Sequence, residues 1–264
     1  MSSPQVARAP EPYTRPDLYD ILFSDLDFDR EYYLTLGRAA PGPVLDLCCG
    51  TGRLLLPLLE AGVDVDGVDL HPAMLALARE KVGASGFASR LEIGDMRDFS
   101  LPRRYAAVLI PFNAFAHNLT IDDQRATLGC CYRHLLPGGL LAFDTFRATQ
   151  GMLAEPPSHP VLEREVAHPV DGHPVQIWDG RNIDVERCLQ HSRIEIRELD
   201  ETRQPVATHR FETDVRWVQP DEIEALAREA GFREVQIAAG YAREPVIETS
   251  NWLVIEARPG VEAR

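Results

Sequence analysis

The 264-residue sequence predicts an α/β fold in which a mostly parallel sheet, with helices on both faces, carries a small antiparallel sheet as an insert. Short apolar segments alternate with helical segments between residues 43 and 144, and such repeated strand–helix units build parallel sheets with right-handed crossovers. Between residues 175 and 218 the helical segments disappear and polar and apolar residues alternate in places, which predicts antiparallel strands. The helix and strand pattern then returns in the last segments.

The sequence predicts helices, strands and turns along most of the chain. Residues 1–16 contain four prolines and are predicted to form a mobile arm, followed by two short helices. A capping box at 120–123 is predicted to start a helix, and residues 137–139 are predicted to form a turn. In chain order the remaining predictions are strand 43–47, helix 54–60, strand 63–69, helix 72–81, strands 91–93 and 106–110, helix 120–136, strand 140–144, a long connection at 150–174, extended segments 175–183, 185–198 and 207–218, helix 222–230, and strands near 234–238 and 252–257.

Composition limits the classes of partner. The formal net charge is −14 and the sequence pI is about 5.0, so the surface repels phosphate backbones and anionic membranes. No apolar stretch approaches the roughly 20 residues of a membrane helix, and the first residues lack the apolar core of a signal peptide. The five cysteines show no metal-ligand spacing and are expected to be reduced thiols. We therefore expect a cytoplasmic protein with a small-molecule partner, no metal, no nucleic acid and no membrane.

A glycine-rich loop follows the first predicted strand. Gly50 and Gly52 stand between that strand and a helix, where a ligand can lie close to bare backbone at a helix N-terminus. Leu55 occupies the position of the third glycine in the dinucleotide fingerprint, and the chain has no Tyr-x-x-x-Lys pair. Both features argue against one candidate function, that of a nicotinamide-dependent oxidoreductase.

Two carboxylates end the next two strands. Asp69 stands 23 residues after Asp46, at the distance where an acidic residue accepts hydrogen bonds from ribose hydroxyls. Asp95, beside Gly94 and Met96, ends the third strand, where a carboxylate can accept from an adenine amino group while the methionine packs on the ring.

In this order and spacing, segments 44–52, 67–69, 94–96 and 136–140 resemble the class I S-adenosylmethionine-dependent methyltransferases. The resemblance implies a Rossmann-like sheet of seven strands, the last inserted antiparallel, and S-adenosyl-L-methionine as the cofactor. Cys48 departs from the family, which often has glycine or alanine there. The cofactor-binding residues implied by the resemblance are Asp46, Cys48, Gly50, Gly52, Asp69, Leu70, Met74, Gly94, Asp95, Met96 and Pro111.

Residues 111–118 resemble, more narrowly, the glycine N-methyltransferases and the enzymes that methylate amino sugars. This resemblance implies N-terminal helices within 1–40 that cover the cofactor, a core at 41–149 and 219–264, and an antiparallel lid at 150–218 through which copies associate. It also favours an amino group of a natural product or metabolite as the acceptor. Tyr19 is implied as a cofactor-covering residue with a share in catalysis, and Tyr13, Tyr32 or Tyr33 could serve in the same way.

The acceptor is expected near the ends of the fourth and fifth strands, since ligands gather at the carboxyl ends of parallel strands. Asn113, Phe115, His117 and Asp144 lie there, and His117 would act as a base if the acceptor were a hydroxyl. An O-methyltransferase and a non-catalytic S-adenosylmethionine-binding protein therefore remain as alternatives. Candidate acceptor contacts in the predicted lid are Trp178, His191, His209, Arg216 and Trp217.

Overall fold

The computed structural model describes residues 11–23, 26–156 and 158–260, so most of the predicted N-terminal arm, residues 1–10, lies outside the described residues. The chain divides into two compact units. One contains the described residues up to Leu26 together with residues 155–214, and the other contains residues 27–154 and those from 215 onward.

In chain order the helices are α1 (Pro16–Phe23), α2 (Arg30–Ala39), α3 (Leu55–Glu60), α4 (Pro72–Ala84), α5 (Ile121–His134), α6 (Gln150–Ala154) and α7 (Pro220–Ala230), with 3-10 turns at Pro12–Thr14 and Ala114–His117. The strands are β1 (Val44–Leu47), β2 (Val65–Asp69), β3 (Leu91–Ile93), β4 (Tyr105–Ile110), β5 (Leu135–Phe146), β6 (Val161–Ala167), β7 (Pro174–Asp184), β8 (Leu189–Leu199), β9 (Pro205–Arg216), β10 (Phe232–Ala239) and β11 (Trp252–Pro259).

The larger unit contains a seven-stranded sheet in the order β10-β11-β5-β4-β1-β2-β3. Strands β1 to β5 pair in parallel, whereas β11 lies antiparallel between β10 and β5. The predicted Rossmann-like sheet with an antiparallel last strand is therefore confirmed. It brings the carboxyl ends of β1, β2, β4 and β5 to one edge, where ligands bind in such sheets.

Every residue of the central strands β1 and β4 is buried, so the sheet is covered on both faces there, and β4 is continuously apolar. Alternate residues of β1 enter different cores: Leu45 and Leu47 join a cluster with the apolar residues of α5 and α7, and Val44 joins a cluster with those of α2, α3 and α4. Asp46 shares the face of Val44 and is fully buried.

Two predicted boundaries differ from the structure. The expected turn at 137–139 lies inside β5, which already pairs with β4 at Leu135; a register irregularity absorbs the extra residues, with Gly138 at φ 73°. The long connection predicted at 150–174 contains α6 and β6. We missed β6 because most of its side chains are exposed, so it has little apolar periodicity. The capping box is confirmed, since the Thr120 side chain accepts the Asp123 N–H.

The smaller unit is a four-stranded antiparallel sheet in the order β6-β7-β8-β9. Helix α1 belongs to this unit and packs Leu18, Ile21 and Leu22 on one face of the sheet. Alternating strand residues such as Val175 and Ile177 form that face, and the intervening residues of β7 form the other. Among the described residues, no helix has the length and apolarity to cross a membrane.

Candidate cofactor site

The loop after β1 adopts left-handed backbone at alternate positions. Cys48, Gly50 and Gly52 have φ values of 66°, 56° and 87°. Glycine adopts this conformation without steric cost, whereas the β-carbon of Cys48 makes it sterically unfavourable. A β-carbon at Gly50 would lie 3.4 Å from Cε of the buried Met74, so bare backbone and Met74 lie together here.

Asp69 ties this loop to the end of β2. Its Oδ2 accepts the Gly50 N–H at 2.8 Å and its Oδ1 accepts the His71 N–H at 2.8 Å. Burial raises the pKa of Asp69, and the two backbone donors offset part of that rise. Each carboxylate oxygen can accept a second hydrogen bond, so Asp69 can hold the loop and still accept from two vicinal hydroxyls.

Asp46 has the least compensated carboxylate of the site. It is fully buried, and neither of its oxygens has a hydrogen-bond partner among the described residues. Burial raises the pKa of Asp46 to about 8, although the positive charge of Arg53 opposes the rise. A buried, unpartnered carboxylate costs free energy, and a positively charged ligand would remove that cost.

The third group of predicted residues lies after β3. Asp95 is a quarter exposed, and its carboxylate accepts from the Arg97 side chain at 2.5 Å. Met96 is half-buried, with its sulfur 4.0 Å from the Cys48 sulfur and 3.3 Å from the Asn118 amide nitrogen. Leu70 is 52% exposed, although apolar residues of that size are normally buried. The structure therefore brings Met96 to the glycine loop, while Asp95 is already engaged by Arg97.

Beyond β4, two consecutive residues adopt left-handed backbone. Pro111 is buried at the strand end, and Phe112 and Asn113 both have φ 60°. Their N–H groups donate to the two carboxylate oxygens of Asp144 at 2.8 and 2.5 Å. The Asn113 side-chain oxygen accepts the Phe146 N–H at 3.1 Å, so this predicted acceptor contact has a structural hydrogen bond.

Asp144 receives a third donor from helix α2. The Tyr33 hydroxyl donates to its Oδ2 at 2.5 Å, and both residues are fully buried. Burial raises the pKa of Asp144 to about 6, and the three hydrogen bonds limit the rise. Tyr33 is therefore an anchor for β5, and the neighbouring Tyr32 donates to Glu256 on β11 at 2.9 Å.

The other two predicted acceptor residues lie in the 3-10 turn after β4. Phe115 is fully buried, with its ring 4.5 Å from that of Phe143, so it is a core residue instead of the predicted acceptor contact. His117 ends the turn and is half-buried.

Sequence reasoning missed an ion pair beside the loop. Arg53 donates two hydrogen bonds to the buried carboxylate of Asp29, at 2.7 and 2.5 Å. Its guanidinium also lies 4.3 Å from the centroid of the Phe112 ring. Arg53 directly follows the glycine loop, which was the one available signal; Asp29, at the start of α2, gave none.

The remaining predicted residues divide between the two units. Tyr19 lies on α1 of the smaller unit, with its ring 4.7 Å from that of Phe23. His191 pairs with Asp214 at 2.8 Å, also in the smaller unit. Two residues assigned to the lid, Arg216 and Trp217, instead belong to the larger unit. There Arg216 is buried and donates to Gln124 and Glu222, and Trp217 is buried beside Phe146.

Three features of the larger unit fit an adenosyl amino acid. The glycine loop presents backbone at positions where side chains are small or absent, Asp69 can accept from two hydroxyls, and Asp46 offers a buried acceptor without a partner. Leu55, which replaces the third glycine of dinucleotide sites, is a fully buried core residue at the start of α3.

Part of the chain is similar in sequence to known methyltransferases. Residues 44–139 match a family described as a methyltransferase domain. Over 135 residues the chain is 37% identical to a dTDP-3-amino-3,6-dideoxy-alpha-D-glucopyranose N,N-dimethyltransferase of Streptomyces fradiae, a match that covers 48% of this chain and 51% of that protein. The chain spans about half the length of the first curated relatives it matches.

Solved structures extend the likeness over nearly the whole chain. An S-adenosylmethionine-dependent methyltransferase from Clostridium acetobutylicum superposes with a TM-score of 0.76 at 18% identity, covering 92% of this chain and 96% of that one. The sugar N-methyltransferase KedS8 from Streptoalloteichus gives 0.72 at 23% identity, covering 98% of each chain. At these identities the likeness establishes the fold. The chain therefore has the fold of the solved S-adenosylmethionine-dependent methyltransferases, as the sequence predicted, and residues 44–139 match a methyltransferase domain.

Proposed function

We propose that this protein transfers a methyl group from S-adenosyl-L-methionine to an amino group of a small molecule. The observation that carries the cofactor half of the proposal is Asp46, a buried carboxylate without a partner beside a glycine loop that Asp69 holds in place. Carrying such a group is unfavourable unless a ligand compensates it.

When bound, S-adenosylmethionine supplies a methyl group made electrophilic by the positive charge on its sulfur. Asp46 compensates positive charge near the glycine loop, and Asp69 accepts from the ribose hydroxyls. Met74 and the exposed Leu70 provide apolar surface for the base, and Met96 adds to it. These residues mainly bind and orient the reactants, which by itself lowers a barrier by about 7–11 kcal/mol.

The acceptor half of the proposal rests on the relatives and on the loop after β4. An amine needs only to be neutral when it attacks, whereas a hydroxyl needs a general base. Two curated relatives are named as N,N-dimethyltransferases of amino sugars, which favours an amine and a role in natural-product biosynthesis. His117, at the end of the 3-10 turn, is the residue that would serve as the base of an O-methyltransferase.

We further propose that the antiparallel unit acts as the lid over the acceptor. Its residues Trp178, His191 and His209 are the candidate acceptor contacts, and Tyr19 on α1 is the candidate cover for the cofactor. Association of copies through this unit remains a prediction from the resemblance.

Methyl transfer from labelled S-adenosylmethionine tests the proposal. The acceptors are a nucleotide-linked amino sugar and the same sugar with a hydroxyl in place of the amine. We expect label on the amino sugar alone. Label on the hydroxyl sugar would indicate an O-methyltransferase, and cofactor binding without transfer to any acceptor would favour a non-catalytic binding protein.

The matched variants are Asp69→Ala and Asp98→Ala. Asp69 is the last residue of β2 and Asp98 lies in the loop after β3, but Asp98 is exposed and has no predicted role. Asp69→Ala should weaken cofactor binding by about 1–3 kcal/mol, because it leaves polar groups unpaired. Asp98→Ala should bind as the parent does, and equal affinities of the two variants would contradict the site assignment.

A further inference from the structure

Four aromatic rings meet in the larger unit, at the edge of the sheet where the parallel strands have their carboxyl ends. Phe112 follows β4, Tyr241 follows β10, and Trp252 begins β11 opposite the last residue of β5. The ring centroid of Phe28, just before α2, lies 5.9 to 6.0 Å from the centroids of these three rings. Such distances are typical of packed aromatic rings. These four rings, the aromatic wall, therefore border the edge at which ligands bind in such sheets.

Phe28 is the exposed member of the aromatic wall. It is 52% exposed, whereas the other three rings are partly buried. Single exposed apolar residues are common, but Phe28 packs against three further rings and so continues an apolar surface. Contact with an apolar group of a ligand would remove this surface from water, which is favourable.

An ion pair fixes the backbone beside Phe28. The next residue, Asp29, is fully buried, and Arg53 donates to its two carboxylate oxygens at 2.7 and 2.5 Å. The Arg53 guanidinium also lies 4.3 Å from the centroid of the Phe112 ring, so one ion pair borders both phenylalanines. A surface that is ordered before its ligand binds loses less conformational freedom on binding.

The second phenylalanine of the wall has a backbone conformation that is unusual for a bulky residue. Phe112 has φ 60°, and its N–H and that of Asn113 donate to the buried carboxylate of Asp144. Residues held in such conformations cluster at active sites and ligand-binding sites. Here the strained residue is the one whose ring lies beside Phe28.

The polar groups that border the wall are paired with one another. The Trp252 Nε1–H donates to the Tyr241 hydroxyl at 3.0 Å, and Arg53 is bound to Asp29. A ligand hydroxyl placed against the Phe28 ring would lose hydrogen bonds to water, and the ring offers no equivalent replacement. A methyl or methylene group in the same place has no hydrogen bond to lose.

We propose that Phe28, with Phe112 beside it, forms the apolar side of the acceptor site and selects amines that carry a methyl or methylene group where related compounds carry a hydroxyl. The inference rests on the proposed function, because it assigns these residues to the acceptor of that reaction. It makes Phe28 a specificity-determining residue. The preference comes from the cost of removing a hydroxyl from water, so it should disappear when the ring is removed.

Steady-state kinetics on the full chain, with saturating S-adenosylmethionine, test the proposal with two acceptors. One is a nucleotide-linked amino sugar with a methyl group at the last carbon of the sugar, and the other has a hydroxymethyl group there. We expect kcat/KM of the parent to favour the methyl compound about 10- to 100-fold, the range of discrimination by apolar pockets. Phe28→Ala should raise KM for the methyl compound about 10-fold with kcat little changed, and should bring the ratio of the two kcat/KM values close to 1. Phe28→Leu keeps an apolar side chain and should retain most of the preference.

Phe87→Ala is the matched control. Phe87 is the other exposed phenylalanine among the described residues, at 38%, but it lies in the connection from α4 to β3, which enters the sheet at the opposite edge. This variant should keep the parent KM and the parent preference. Calorimetry with S-adenosylhomocysteine adds a readout without turnover, in which Phe28→Ala should bind as the parent does.

Three results would overturn the inference. Transfer to both amino sugars with the same kcat/KM ratio in the parent and in Phe28→Ala would overturn it and leave the proposed function standing. A loss of S-adenosylhomocysteine affinity in a folded Phe28→Ala would assign the wall to the cofactor instead of the acceptor. No transfer from the bound cofactor to any amine would overturn the proposed function and this inference with it.

Discussion

Two buried aspartates, Asp46 on β1 and Asp144 on β5, differ in the hydrogen bonds that their carboxylates accept. Both are fully buried near the carboxyl ends of strands that flank β4. Asp144 accepts three hydrogen bonds, from Tyr33, Phe112 and Asn113, whereas Asp46 has no partner among the described residues. Burial raises the pKa of both carboxyl groups, to about 6 for Asp144 and about 8 for Asp46. At Asp144 three hydrogen bonds to the ionised form offset much of the rise, whereas at Asp46 the main opposing influence is the positive charge of Arg53.

The difference separates a structural carboxylate from a binding one. Asp144 holds two left-handed residues and helix α2 against β5, so its carboxylate oxygens are hydrogen-bonded within the protein. The carboxylate oxygens of Asp46 remain available to a ligand, and their burial destabilises the ligand-free protein. The same residue type near the ends of the two strands that flank β4 thus serves stability in one place and the proposed function in the other.

The largest expected effect comes from removing the structural carboxylate. Asp144→Ala leaves one buried and two part-buried donors without an acceptor, and we expect the free energy of unfolding to fall by about 3–5 kcal/mol. Urea unfolding measures it. Asp144→Asn keeps one acceptor oxygen and should lose less. A loss below about 1 kcal/mol for Asp144→Ala would contradict the structural role.

The matched change at the other strand should weaken binding instead of stability. Asp46→Asn removes the charge without changing the size of the side chain, and we expect the affinity for S-adenosylhomocysteine to fall about 10- to 100-fold, the loss of a hydrogen bond to a charged group. The free energy of unfolding at pH 8 should stay equal or rise. A variant that is destabilised but binds normally would reverse the comparison.

The two carboxylates also predict different pH windows for stability. In the unfolded chain Asp46 loses its proton near its ordinary pKa of 3.8, and in the folded protein near 8. Its contribution is therefore complete below about pH 4 and is lost as the pH rises toward 8, by at most about 1.4 kcal/mol per pH unit. Between pH 7 and 8, where Asp144 is largely ionised, urea unfolding should show a fall in stability that Asp46→Asn reduces and Asp144→Asn retains. Equal slopes in the parent and in Asp46→Asn would contradict the raised pKa.

The smallest expected effect concerns the left-handed residues that follow the two strands. Phe112 and Asn113 are held by Asp144, whereas Cys48 lies in the loop after Asp46 with φ 66°. Cys48→Gly removes a strain of about 1 kcal/mol and should raise the melting temperature by a few degrees, less any loss of the contact with Met96. Cys49→Gly is the control: Cys49 is buried and not left-handed, so its replacement should destabilise the protein.

Local sequence predicted the elements whose signals are local. The continuous apolar strand β4, the Thr120 cap and the glycine loop all depend on neighbouring residues, and the antiparallel last strand came from the resemblance to a family. We did not predict strand β6, because most of its residues are exposed and its sequence lacks the alternation of apolar and polar residues that marks a half-buried strand.

The contacts that distinguish the two aspartates could not be predicted from the sequence. Tyr33 meets Asp144 across 111 residues, and Arg53 meets Asp29 across 24, and neither pair has a spacing rule. Sequence reasoning placed Asp46 near the cofactor and Asp144 near the acceptor. It could not show that one is unpartnered and the other saturated, because that depends on which backbone and side-chain groups the fold brings to them.

Calorimetric titration with S-adenosylhomocysteine at pH 7, in two buffers of different ionisation enthalpy, tests the central claim most directly. We expect one equivalent to bind with release of a proton, since the positively charged amino group of the ligand near Asp46 lowers the pKa of Asp46 from about 8. Asp46→Asn should bind more weakly and without that release. The absence of saturable binding by the full chain, or the same proton release in Asp46→Asn, would contradict the account.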